Sequence, residues 1–153
     1  MTASASILAL QPGFGHDLSH NLGAILAYAL VGAALIAIGF VMLDLTTPGK
    51  LNHLVREGMP NAVAIAAGGI VSISLIVVTS IYGSSGHLAE GLITTTSYGL
   101  LGIAVQVFAV RLLEAVLRID VGRILHDERF DAACLAVSTA HLALGLIVAV
   151  SVL

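Results

Sequence analysis

The sequence has no tryptophan, one cysteine and three prolines, and only 10% of its 153 residues are charged. Each shortage narrows the field. The lone Cys134 cannot close an internal disulfide, so no cross-linked scaffold holds the chain. Pro12, Pro48 and Pro60 all fall outside the long apolar runs, so no run is broken at its middle, a device many transporters use at their sites. A soluble domain carries about 25% charged residues. With 58% apolar residues and a mean hydropathy of +1.06, this chain would show water an almost wholly hydrophobic surface. Lipid is the solvent that fits. The six Lys and Arg sit in two short stretches and the formal charge is −3, which argues against nucleic-acid binding. There is no Walker loop, GxSxG, HExxH or CxxC, so a membrane enzyme or redox subunit is the weakest class.

What the chain does have is four uncharged runs, each long enough to cross about 30 Å of hydrocarbon as a helix. The expected fold is all-α. A tail (1–21) leads into a first hairpin (22–82) with spans at about 22–43 and 62–81. An outer loop (83–91) and a second hairpin (92–153) with spans at about 92–113 and 132–153 follow. The tail lacks Lys and Arg and has one brief apolar patch, Ile7 to Leu10, so it does not resemble a signal peptide. It is expected to be retained and to rest outside, with Gln11 to Gly15 as a loop. Asn21 or Ser19 could cap the first span, and Asp44 ends it. Thr47 is placed as the N-cap of a short helix with Pro48 at its first position. Leu51, Leu54 and Val55 give that helix one apolar stripe, expected to lie on lipid, and Gly58 stops it. Tyr82 sits where an interfacial aromatic belongs. The third helix is expected to run on to about Leu117, which puts Arg111, Glu114 and Arg118 on one face. Asp131 can cap the fourth span.

Lys50 and Arg56 lie between the first two spans, and Arg111, Arg118, Arg123 and Arg129 lie between the last two. The tail and the loop 83–91 hold no base. The positive-inside rule then puts both basic loops in the cytoplasm, with both termini outside. The bases are also candidates for contact with anionic lipid or a cytoplasmic partner.

The halves match at an offset of 70. Tyr28-Ala-Leu-Val-Gly32 falls on Tyr98-Gly-Leu-Leu-Gly102, Asp44 on Glu114, Asn61-Ala62 on Asp131-Ala132 and Ala66 on Ala136. Two like hairpins insert the same way round, which makes a parallel repeat and a four-helix bundle. The Tyr-x-Leu-x-Gly helix, the acid at its end, the basic loop, the run from Asn61 to Gly69 and the degenerate second copy resemble the domain-of-unknown-function-350 family of small bacterial membrane proteins. The resemblance covers Tyr28 to Leu153. It implies a four-helix integral membrane protein and supplies no activity, cofactor or catalytic residue. Some relatives lie beside genes for envelope-stress proteins and ATP-dependent amide ligases, an association that points to membrane maintenance.

A few residues stand out chemically. Asp44 and Glu114 could line a shared vestibule that binds a cation or relays protons, or they could pair with arginines and lipid amines near the headgroups. His141 stands alone in the fourth span. It could handle protons, hold a metal or haem, or simply hydrogen-bond a carbonyl or Ser138. No second His lies at its depth for haem, and no cofactor is expected. His16 and His20, four apart, together with His87, are metal-ligand candidates, although Pro12-Gly13 and Gly15 argue against a long helix there. Ala64, Gly68 and Ser72, with Ala132 and Ala136, are small residues suited to helix contacts. The leading functional expectation is a non-enzymatic membrane component, a homo-oligomer or accessory subunit. The alternative is a small ion or proton channel or transporter using Asp44, Glu114 and His141. If the acids and His141 face one cavity, transport gains; if they face headgroups or other chains, the structural role gains.

Overall fold

The computed structural model describes residues 14–47, 49–84, 87–118 and 120–153. The expectations for residues 1–13 and for Pro48 lie outside these. The described residues are helices joined by short turns: α1 (Phe14–Thr46), α2 (Leu51–Arg56), α3 (Pro60–Tyr82), α4 (Leu88–Leu117), α5 (Val121–Leu125) and α6 (Ala133–Val152). The order long, short, long occurs twice. Leu51 and Val121, which open the two short helices, stand 70 positions apart.

Four helices, α1, α3, α4 and α6, are long and apolar enough to cross a membrane. Helices suit that solvent because every backbone group inside a span must find its partner within the segment. Hydroxyls inside the spans follow the same rule. Ser74, Thr79, Ser80, Thr96 and Ser151 each donate to the carbonyl four residues earlier, at 2.7–2.9 Å. Large apolar side chains such as Leu30, Ile93, Phe108 and Ile147 point outward, where acyl chains would meet them.

α1 opens at Phe14, ahead of the expected start near Leu22. Its 33 residues rise about 50 Å. Gly15 is tolerated inside the helix, since a single glycine costs only about 1 kcal/mol there and Asp17 favours a first turn.

α2 differs from expectation in where its apolar stripe goes. Leu51 and Leu54 are buried, and they pack with Val121, Ile124 and Leu125 of α5 and with Ala62, Ile65, Ala66, Cys134 and Val137. The stripe meets protein, not lipid, because the two short helices fold under the α3–α6 pair. Thr47 is not the cap of α2. Its N–H continues α1 by donating to the Leu43 carbonyl at 2.9 Å, and the residue is buried. The N-cap position falls to Lys50, left-handed at φ 57 and without a side-chain cap bond. Asp44 takes over the capping, its Oδ1 accepting the Asn52 N–H at 2.6 Å. α2 ends in a Schellman turn, with Met59 N–H on the Leu54 carbonyl and Gly58 N–H on that of Val55. Gly58, at φ +75, supplies the left-handed residue this turn needs.

α3 and α6 form the closest pair. A Cβ on Gly68 would stand 2.9 Å from the Ser138 carbonyl oxygen, and one on Gly145 would stand 3.1 Å from Ser72 Cα. Between α1, α3 and α4 a second buried cluster gathers Leu35, Leu43, Ile73, Val77 and Ile103.

Candidate functional site

A pocket opens at the basic end, between all four long helices. It is lined by Leu43, Thr46 and Thr47 of the α1 end, Ile73 of α3, Ile103, Gln106, Val107, Val110, Arg111 and Glu114 of α4, and His141 of α6. Its atom-free space is about 330 Å³ with the open mouth included, but water centres can occupy only about 10 Å³ of it. The interior is therefore narrow.

At the mouth Arg111 Nη1 meets Glu114 Oε2 at 2.5 Å, one helical turn apart. The pair is partly buried, with 32% of the arginine and 15% of the glutamate side chain exposed. It enters the pocket close to charge-neutral. Deeper in lies a polar centre that joins three helices. Ser72 Oγ donates to the His141 carbonyl at 2.6 Å, and Gln106 Nε2 donates to Ser72 Oγ. Ser72 is twelve residues into α3 and His141 eight into α6, which is ~12–18 Å of helix rise from the basic end. Gln106 Oε1, Arg111 Nη2 and His141 Nδ1 are buried without a partner. At the far end of the pocket its lining residues Ile73 and Ile103 join Leu35 in one buried apolar cluster, and Ile76 is buried too, which makes an apolar layer. Past that layer polar groups recur inside the bundle, with Thr95 Oγ1 on the Ser80 carbonyl at 3.4 Å and Tyr28 Oη by Ser84 Oγ at 3.1 Å.

Glu114 and His141 thus share one pocket. Asp44 is engaged elsewhere, as the cap of α2. The two acids match in the sequence but not in their work, because the second half has its own cap. Asp120 Oδ1 accepts the Arg123 N–H at 3.0 Å and opens α5, whereas the corresponding place before α2 holds Lys50, which cannot accept. Arg118 does not join Glu114. It is exposed and ends α4 in a left-handed conformation, φ 53. Lys50, Arg56, Arg123 and Arg129 are exposed around the basic end, and Arg123 and Arg129 border a shallow depression with His126.

His20 and His87 are exposed, on α1 and just before α4, and the side chain of His16 lies outside the described residues. Among the described residues no group of three or more His, Cys, Asp or Glu comes together to hold a metal ion. Gly68 and Ser72 are spent inside the bundle, and the Ala64 carbonyl accepts from Ser138 Oγ at 3.1 Å. Ala132 and Ala136 are exposed and face outward. Asp131 and Asn61 turn α6 so that Cys134, Val137, His141 and Gly145 face inward instead.

Two working residues escaped the sequence reading. Gln106 is an amide inside an uncharged run, and a polar group at that depth is costly unless bonded; that cost was the available signal. Asn61, which in the sequence only matches Asp131 across the repeat, is fully buried. Its Nδ2 faces the carbonyls of Ile124, Asp127 and Arg129 at 2.8–3.1 Å.

Comparison with known proteins agrees with this architecture. A family profile described as Domain of Unknown Function (DUF350) matches residues 17–152. A UPF0719 transmembrane protein of Mycobacterium bovis and another of Mycobacterium tuberculosis are each 41% identical over 96 residues, 62% of this chain. The match spans 63% of each of those relatives. A UPF0719 transmembrane protein of Mycolicibacterium paratuberculosis is 30% identical over 130 residues, 84% of this chain and 86% of the relative. No solved structure matches the chain significantly. With four membrane-length helices in place and the profile covering nearly all of them, the chain belongs to the DUF350 family of membrane proteins.

Proposed function

We propose that this protein is a non-enzymatic component of the bacterial inner membrane, self-associated or seated in a larger complex, and serving envelope maintenance. The observation that carries this reading is the buried apolar layer of Leu35, Ile73, Ile76 and Ile103 between the pocket and the polar groups at the opposite end. An ion crossing it would lose its hydration with nothing to replace it. The outward small residues Ala132 and Ala136 support the oligomeric part, since they leave room for a helix of another chain. The reading takes the two halves as a parallel repeat, puts both basic loops in the cytoplasm and both termini outside, and includes no cofactor. Anionic lipid headgroups are the natural contacts of Lys50, Arg56, Arg123 and Arg129.

A second reading has one observation in its favour. Glu114 and His141 share a pocket open at the basic end, which suits proton handling, with Asp44 taking no part. Reconstitution into liposomes separates the two. The structural reading expects proton, sodium and potassium flux no greater than in empty liposomes, and a purified mass above one chain. A lone monomer with a flux abolished by Glu114→Gln would overturn it.

A further inference from the structure

We propose that the pocket is a built site for one water molecule, and that this water connects His141 to the solution at the basic end. The inference goes beyond the structural role above and stands whether or not the protein self-associates. Three observations carry it.

The first is the set of groups left over. Gln106 and His141 are 2% and 3% exposed, and with Arg111 they bring three unpartnered polar atoms to one pocket. Each such atom is costly if nothing answers it. The orientation of the Gln106 amide follows from its neighbours. Ser72 has one hydroxyl hydrogen, and it is spent on the His141 carbonyl. Ser72 Oγ must then accept, so the amide nitrogen of Gln106 faces it and Oε1 faces the pocket.

The second is complementarity. Arg111 Nη2 can only donate, Gln106 Oε1 can only accept, and His141 Nδ1 can do either according to its tautomer. A molecule with two hydrogens and two lone pairs answers all three. It accepts from Arg111, donates to Gln106 and meets His141 in the remaining role. An inorganic anion fails at Gln106 Oε1, and a metal cation fails at Arg111.

The third is size. The space in which the centre of a water fits is small, about 10 Å³, which suits a molecule of that size, and buried waters take two to four partners.

The site is one-sided. Arg111 and Glu114 stand half-open at its mouth, and the Ile73 and Ile103 layer closes its far end. His141 is otherwise sealed in the bundle, so this water gives its ring a route to exchange protons with solution.

A structure of the full chain in lipid, at a resolution that shows waters, tests the site directly. One compact peak within about 3.2 Å of all three atoms is expected. An empty pocket, or elongated density from an amphiphile, overturns the proposal. The second measurement is hydrogen–deuterium exchange at the assigned His141 ring nitrogen in nanodiscs. Gln106→Leu fills the space and removes the acceptor, and it should slow exchange at least about tenfold, equivalent to ~1.4 kcal/mol. Equal rates in the two proteins would also overturn it. The density measurement needs no variant, so poor folding of Gln106→Leu leaves the proposal testable.

Discussion

Asn61 and Asp131 stand 70 positions apart and hold each other. Asn61 Oδ1 accepts the Asp131 backbone N–H at 2.9 Å, while Asn61 Nδ2 gathers three carbonyls of the same loop. Asp131 in turn caps α6, its Oδ1 accepting the Ala133 N–H at 2.9 Å. One buried amide therefore sets both the path of the second basic loop and the rotation of the helix that carries His141.

Asn61→Ala leaves one backbone N–H and several carbonyls of that loop short of a partner. The expected loss is about 3 kcal/mol or more of stability, since each buried group left unmade costs ~1–3 kcal/mol. Thermal unfolding in detergent measures it, and amide exchange should rise chiefly across residues 124–131. A loss confined to a few tenths of a kcal/mol would mean that the loop is held by something else.

The α3–α6 contact depends on having no side chain at Gly68. Gly68→Ala should cost ~1–3 kcal/mol, the usual range for overpacking. Adding Ser138→Gly should restore only part, because the Ser138 carbonyl stays 2.9 Å from the new Cβ. Ala136→Leu, on the outward face, should leave unfolding unchanged and weaken self-association instead, a difference visible in native mass spectrometry.

Much of this architecture was legible in the residues. Four uncharged runs and the bases between them define the helices, and the 70-residue offset matches the starts of α2 and α5. Period alone could not say what the Leu51–Leu54 stripe would face, since lipid and protein are equally apolar. Nor could it separate Asp44 from Glu114. Their different work depends on Lys50 standing where the second half has Asp120, a difference that matters only once the short helices need caps. Gln106 leaves little mark in the sequence because one amide hardly changes the hydropathy of a run, although it decides the chemistry of the interior.

Glu114 and Asp44 should respond differently to removal. Glu114→Gln strands the half-buried Arg111 and should cost ~1–3 kcal/mol, below the ~3–5 kcal/mol of a fully buried pair. Adding Arg111→Gln should recover part of that, a coupling that a double-mutant cycle reads. Asp44→Ala removes one cap bond and should cost ~0.5–2 kcal/mol, with no coupling to Arg111. Equal coupling of both acids to Arg111 would contradict the separation drawn between them.

The proposed arrangement is a membrane bundle with both basic loops on the cytoplasmic face. Labelling of single cysteines by a membrane-impermeant maleimide in intact cells, in a Cys134→Ala background, tests it most directly. His87→Cys should react from outside, and Arg123→Cys should react only after the membrane is opened. Labelling of Arg123→Cys in intact cells, with His87→Cys protected, would contradict it.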